Sequence, residues 1–293
     1  MESGKIMKQY LESFMHGIFL LTACVSIFAV ALICIFLFAN GVPALFEIGF
    51  GNFLLGDTWR PGNNFYGILP MILGSIYVTL GAILVGVPLG ILTAVFLAKF
   101  CPPQIYRILK PAIDLMAGIP SVVYGFFGMV FIIPLVRDIA AMFNLYSDGS
   151  TILTASLLLG MMILPTIIGV SESALRAVPN SYYEGGLALG ASHERSVFFT
   201  MLPAAKSGIL AGVILGMGRA IGETMAVIMV AGNQPRIPQS IFAGGRTLTA
   251  NIVMEMGYAA DLHREALIAT AVVLFVFILV INLAFSILKR SSE

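Results

Sequence analysis

The feature that most constrains this chain is the stretch from Pro61 to Ala98, 38 consecutive residues without a charged side chain. A water-soluble domain needs polar positions at regular intervals to face solvent. An uncharged apolar stretch this long belongs in lipid, where each backbone N–H and C=O must find its partner inside the segment and the helix is the standard solution. A second such stretch, Ile18–Ala39, has 22 uncharged residues, close to the ~20 that cross a bilayer at ~1.5 Å per residue. It is too long for a signal-peptide core and no A-x-A-like cleavage site follows it, so it reads as a retained span. Further spans are expected at Pro111–Val136 (Asp114 at its entrance, Pro120 inside), Ser150–Ser171, Ser207–Gly232 and Ala266–Leu288.

The 61–98 stretch could hold one long helix or two short ones, and basic residues decide between them. One helix, bent at Pro88, gives six spans with both termini on one side. That side carries Lys5, Lys8, Lys99, Arg107, Lys110, Arg176, Arg195, Lys206, Lys289 and Arg290, against Arg60, Arg137, Arg236, Arg246 and Arg264 opposite. Lys and Arg accumulate in the cytoplasm, which places both termini there. The expected fold is all-α, a polytopic membrane protein of six transmembrane helices. Residues 1–65 form an N-terminal segment, first span and outside loop; 66–288 form the core with a cytoplasmic loop at 172–206; and 289–293 form a cytoplasmic tail.

Composition agrees. The mean hydropathy is +0.98, and 16 basic residues nearly balance 15 acidic ones, so nothing points to nucleic acid. Cys24, Cys34 and Cys101 lack metal or redox spacing, and His16, His193 and His263 are far apart. No metal site or catalytic cluster is expected.

Two segments carry chemistry. In the cytoplasmic loop, Ser181 and Glu184 have capping-box spacing after Pro179, predicting a short helix from Tyr182 that stops at Gly190. Ser192 can cap a second short helix, with Pro203 at the start of the next span. The residues by themselves fit either a plain connector or a docking surface. The second segment is the Ser207–Gly232 helix, where Arg219 and Glu223 stand four residues apart and so share a face. They make either a structural ion pair or a polar site on a route through the membrane, where the planar arginine fork suits an oxyanion. Gly208, Gly212 and Gly216, and separately Gly218 and Gly222, form four-residue ladders that admit close helix neighbours.

The loop Glu184-Gly185-Gly186-Leu187-Ala188-Leu189-Gly190, then Thr200-Met201-Leu202-Pro203, resembles the EAA loop of type I ABC-importer permeases (EAA-x3-G-x9-I-x-LP). It departs from that pattern at Gly185, Gly186 and Thr200. Gly218-Arg219-Ala220-Ile221-Gly222-Glu223-Thr224-Met225-Ala226-Val227, Gly232-Asn233, Gly118–Gly125, Arg246–Ile252 and Glu255–Ala259 are together similar to the C-type permeases of phosphate-specific importers. The resemblance covers roughly residues 66–288. It implies a transport subunit, not an enzyme, that moves inorganic phosphate inward. Residues 184–190 would couple it to ATPase subunits, and Arg219 and Glu223 would line the route. The implied partners are an A-type sister permease, two ATPase subunits, an extracytoplasmic phosphate-binding protein and membrane lipid. The chain has no G-x4-G-K-[ST] loop, so ATP and Mg would be bound by the ATPase chains and no cofactor by this one. A permease for molybdate or sulfate is the nearest alternative, and an ATP-independent secondary transporter a more distant one. Arg236 and Arg246 are candidates for meeting the binding protein.

Overall fold

A computed structural model describes residues 2–290. Met1 and residues 291–293 of the expected tail lie outside the described residues, as do the side chains of Lys5, Lys8, Lys289 and Arg290. Helix dominates, as lipid requires. Among the described residues, five helices are long and apolar enough to cross a membrane, or six if one bent pair is counted.

Helix α1 (Glu2–Ile48) is followed by a short α2 (Phe50–Leu55) and a two-stranded hairpin, β1 (Trp59–Arg60) and β2 (Phe65–Tyr66). The hairpin pairs Trp59 with Tyr66 and Arg60 with Phe65, and Asn64 turns it with a left-handed φ of 58°. The uncharged 61–98 stretch therefore divides: its first residues make the hairpin, and one helix, α3 (Leu69–Val95), follows, with Pro88 inside it and a π-type turn continuing to Phe100. Amphipathic α4 (Pro103–Gly118) buries none of its residues fully. The next span runs from α5 (Ser121–Phe127) through a π-type turn into α6 (Ile133–Met142).

Pro120, expected inside that span, lies at its boundary. A residue before proline is pushed out of the helical region, and Ile119 adopts ψ 126°, which ends α4. The central helix α7 (Ile152–Ala177) begins at Thr151, whose hydroxyl accepts from the Thr154 N–H at 3.2 Å. It continues past residue 172, so the loop expected at 172–206 starts only after Ala177. Then come α8 (Asn180–Ala188), α9 (His193–Ser196), a π-type turn, α10 (Leu202–Ala204) and α11 (Lys206–Gly222), which meets the preceding segment at a 69° bend. Short α12 (Met225–Val230) and α13 (Leu248–Glu255) precede the last span, within α14 (Asp261–Arg290).

Helices in lipid gain little from apolar transfer, so close approach through small residues must hold them. Here α7 is the shared wall. A side chain at Gly86 of α3 would strike Ile163 of α7 at 2.8 Å, and one at Gly90 would strike Ile167 at 2.7 Å. From the other side, Gly212 of α11 lies against Val170 and Gly216 against Ile167 and Ile163. The ladder at 208, 212 and 216 is thus a packing face against α7, whereas Gly218 and Gly222 face open space.

These contacts fix direction. Residue numbers rise together in α3 and α7 and oppositely in α7 and α11. Phe38 meets Phe275 edge-on at 5.9 Å, and Gly41 lies against Ala269 and Val272, so α1 and α14 are antiparallel and the chain begins and ends at one end of the bundle. The 178–205 loop is at that terminal end, and the hairpin and α13 are at the far end.

Candidate functional site

The loop at the terminal end is a helical hairpin. Its first helix starts at Asn180 behind Pro179, which leaves Ser181 inside the first turn. The expected Ser181–Glu184 capping box is absent. Glu184 instead accepts from Asn180 Nδ2 at 2.6 Å. Gly190 has φ +81° and closes the helix end, its N–H donating to Leu187 O and that of Ala191 to Gly186 O. Ser192 caps α9 as expected, accepting from the Arg195 N–H at 3.3 Å.

The adjacent glycines Gly185 and Gly186 do different things. A side chain at Gly186 would meet Ser196 Oγ at 2.7 Å, so Gly186 lets α8 rest on α9. One at Gly185 would meet nothing within 4 Å. Tyr183 faces inward, its hydroxyl 2.8 Å from His193 Nδ1, and Phe100 stacks edge-on against that imidazole at 4.7 Å. The outward face is Tyr182, Gly185, Ala188 and Leu189, the last 91% exposed. The result is a helical hairpin with an uncovered apolar crown.

The second segment departs from expectation. The Ser207–Gly232 stretch is two helices, because α11 ends at Gly222 and Glu223 is extended with ψ 134°. Arg219 and Glu223 consequently form no ion pair. Glu223 Oε1 turns forward and accepts from the N–H groups of Thr224 at 3.1 Å and Ala226 at 3.2 Å, supplying free donors of α12. Its carbonyl accepts from Thr249 Oγ1 of α13 at 3.0 Å.

Arg219 has no hydrogen-bond or ion-pair partner among the described residues. It lies one turn beyond Gly216, which packs at mid-height of α7, and is close enough to Tyr124 for its charge to act on that hydroxyl. Beside it runs the open stripe Leu215, Gly218 and Gly222. An arginine mid-span costs about 2.5–3.5 kcal/mol on insertion scales. Here that cost has no internal counter-ion to offset it.

Two polar hubs escaped the sequence reading. At the terminal end, Glu172 is 3% exposed and accepts from Tyr106 Oη and Arg176 Nε, both at 2.8 Å, with Lys110 Nζ at 3.3 Å. It fastens α4 to α7. The Glu172–Arg176 spacing of four residues was a readable hint; the α4 partners were not. Hydrogen bonding to Glu172, with burial adding, raises the Tyr106 pKa. For Lys110, burial works against the charge, but the bonds to Asp114 and Glu172 outweigh it and raise the pKa.

At the far end, Glu255 receives Arg246 Nη1 at 2.6 Å, Trp59 Nε1 at 2.8 Å and His263 Nε2 at 2.9 Å. The hub joins hairpin, α13 and α14. Arg246 is thereby committed to the interior, bonding also to Asn251 Oδ1 and Asn233 O, and is not a free surface group. Arg236 is exposed. No group of three or more potential metal ligands occurs among the described residues.

A multi-pass, largely helical chain with an exposed apolar loop at one end, and at mid-span an arginine with no ion-pair partner among the described residues, has the features of a membrane transport component. Comparison with known proteins makes this specific. The model of the binding-protein-dependent transport system inner membrane component family matches residues 86–292, and the chain belongs to that family. The phosphate transport system permease protein PstC of Mesorhizobium japonicum is 36% identical over 260 residues, covering 83% of this chain and 79% of the relative. The probable phosphate permease PstC of Methanocaldococcus jannaschii is 33% identical over 267 residues, covering 85% and 84%. A probable ABC transporter permease protein of Bacillus subtilis, YqgH, is 37% identical over 279 residues, covering 91% and 89%. Among solved structures, an inward-facing MetNI methionine ABC transporter chain superposes with TM-score 0.61 at 18% identity, over 80% of this chain and 100% of that one. A bacterial alginate importer chain gives 0.59 at 14%, over 90% and 95%. At these identities the two structures speak for the fold.

Proposed function

We propose that this chain is the permease subunit of an ATP-driven importer carrying inorganic phosphate into the cell, with Arg219 as the residue that meets the anion. The observation that carries the reading is the unpartnered Arg219 guanidinium at mid-span, on an open stripe, in a chain whose relatives are phosphate permeases. A fixed planar fork with free N–H groups is suited to a tetrahedral oxyanion, and leaving it unpaired is costly unless a ligand visits. Glu223 shapes the same segment.

In this reading the terminal end, rich in Lys and Arg, faces the cytoplasm. The crown of Tyr182, Gly185, Ala188 and Leu189 docks an ATPase subunit, and ATP and Mg are bound by that partner. Two ATPase copies, an A-type sister permease completing the route and an extracytoplasmic phosphate-binding protein at the far end make the assembly. The test is the importer reconstituted in proteoliposomes. Arg219→Gln is expected to assemble normally and to abolish phosphate uptake; unimpaired uptake would sink the role of Arg219. Stimulation of ATP hydrolysis by a molybdate- or sulfate-loaded binding protein, and not by the phosphate-loaded one, would move the cargo to another oxyanion.

A further inference from the structure

The segment that precedes the family match, which begins at residue 86, builds a cavity of its own at the far end. It encloses about 700 Å3 between α2 and the β1–β2 hairpin, within residues 48–67. Two glycines close the seam: a side chain at Gly56 would strike Gly67 Cα at 2.8 Å, and the Leu69 N–H donates to Gly56 O at 3.1 Å. The hairpin is held from within, where Trp59 meets Tyr66 edge-on at 5.8 Å and donates to Glu255 at 2.8 Å. The cavity is therefore preformed, and a ligand entering it has little to reorganise.

Its lining favours a cation. Asp57 is the only charged residue in the wall, and its carboxylate is exposed and bonded only to the Thr58 hydroxyl, at 2.9 Å. Tyr66 is 5% exposed, and its hydroxyl has one contact, Asn64 Oδ1 at 3.5 Å, which is long for an O–H···O bond and leaves its lone pairs free to accept. Burial, with the Glu47 charge adding, raises the Tyr66 pKa, so a second carboxylate stands close by. Neither Asp57 nor Glu47 has an ion pair among the described residues. Arg60, cross-strand from Phe65, is exposed and lines none of the cavity. An anionic cargo would be repelled here, whereas an ammonium or guanidinium would find charged and neutral acceptors together.

We propose that this cavity receives a Lys or Arg side chain of the extracytoplasmic binding protein. The inference rests on the reading of the chain as a binding-protein-dependent permease and adds to it the place where that partner is seated. The apolar stem of the incoming side chain crosses the rim at Leu55 and Phe65, 72% and 56% exposed, and its head meets Asp57, Asn64 and the Tyr66 hydroxyl. The ammonium of a phosphatidylethanolamine headgroup shares this chemistry. However, Asn52, Asp57 and Asn64 are exposed, and their unpaired polar groups open the cavity to water and not to hydrocarbon.

The test uses the whole reconstituted importer, with ATP hydrolysis followed against the concentration of phosphate-loaded binding protein. Asp57→Lys is expected to raise KM for that protein about tenfold or more, with kcat retained, the scale set by one charge-assisted contact. Asp57→Asn, which removes only the charge, should raise it several-fold, and Tyr66→Phe, which removes only a hydroxyl, about threefold. Raising the ionic strength should weaken docking more steeply in the unmodified importer than in Asp57→Asn. A photo-crosslinker introduced as Phe65→benzoylphenylalanine should capture the binding protein. Unchanged KM in both Asp57 variants, or capture of the sister permease instead, would overturn the proposal. So would a KM change confined to vesicles containing phosphatidylethanolamine, which would assign the cavity to a lipid headgroup. In each of those cases, stimulation of the unmodified importer by phosphate-loaded binding protein leaves the permease reading standing. If that stimulation is itself absent, both fall.

Discussion

Glu172→Ala is expected to release α4 from the bundle while leaving the rest folded. Helix α4 has no fully buried residue, and its hydrogen-bonded and ion-pair anchors to α7, from Tyr106 and Lys110, converge on one carboxylate that is 3% exposed. The Tyr106 hydroxyl bond at 2.8 Å, made to a charged acceptor, is worth about 1.5–3 kcal/mol. The Lys110 contact at 3.3 Å is a quarter exposed, and solvent reduces it to about 1 kcal/mol or less. Arg176 bonds Glu172 within α7 and is also held by Leu97 O at 3.0 Å, 4.9 Å from the centre of the Tyr106 ring, so its own contact with α4 remains when Glu172 is removed. Together these give about 3 kcal/mol for local opening, or roughly a hundredfold in amide exchange. Hydrogen exchange on the purified complex should therefore show residues 105–116 exchanging about a hundredfold faster, with 161–168 unchanged. Glu172→Gln, which keeps an acceptor for Tyr106, should give about tenfold. Unaltered α4 protection in both variants would refute the hub. The pH sign follows from Tyr106 and Lys110. Both pKa values are raised in the fold, so their contributions are whole below the unfolded values near 10.0 and 10.5 and fade as pH rises through the folded ones. Docking of α4 should hold at pH 7–9 and weaken only above about 10.

Two further outcomes are expected. Gly185→Leu and Leu189→Asp should reduce co-purification of the ATPase without changing permease melting. Gly186→Val, which crowds Ser196, should destabilise the loop by about 1–3 kcal/mol and perturb coupling only through that damage. Arg219→Met should raise the melting temperature of the purified subunit while eliminating uptake, because it removes an uncompensated mid-span charge. A lowered melting temperature would show that Arg219 has an intramolecular partner after all.

The spans and the helical form of the loop were legible because both rest on local physics. Uncharged length sets a membrane helix, and Gly190 and Ser192 set turns through their own backbone and hydroxyl. The Arg219–Glu223 pair was misread for an equally physical reason. Spacing of four implies contact only if the helix is continuous, and nothing in Gly222-Glu223-Thr224 outweighs a helical reading until Thr249, 26 residues on, supplies its bond. Pro120 carried a usable signal, since the residue before a proline avoids helix, but the apolar run around it masked the boundary. Of the hubs at Glu172 and Glu255, only the Glu172–Arg176 spacing was within reach. Trp59 and Glu255 are 196 residues apart, and no periodicity links a hairpin indole to a carboxylate on a tucked-in helix.

The distribution of charge then explains why the molecule can hold one mid-span cation. The faces on which α3, α7 and α11 meet carry no charge and are mainly glycine against aliphatic side chain, with Ser156 of α7 donating its hydroxyl to Val78 O of α3 at 3.3 Å. Fixed charges are gathered at the two ends, where Glu172 and Glu255 each bind several donors and tie peripheral elements to that frame. With the ends fastened and the packed faces neutral, the segment that carries Arg219 can break at Gly222 without unravelling its neighbours. Its packed side, through Gly212 and Gly216, stays against α7, and its open side keeps Gly218 and Gly222 free of side-chain bulk. A charge that weakens the subunit by a few kcal/mol is tolerable when overall stability is about 5–15 kcal/mol and the packed faces carry no second unpaired charge among the described residues. The same residue placed in a helix packed on every side would have to be paired internally, and a paired arginine has no free fork to offer an anion.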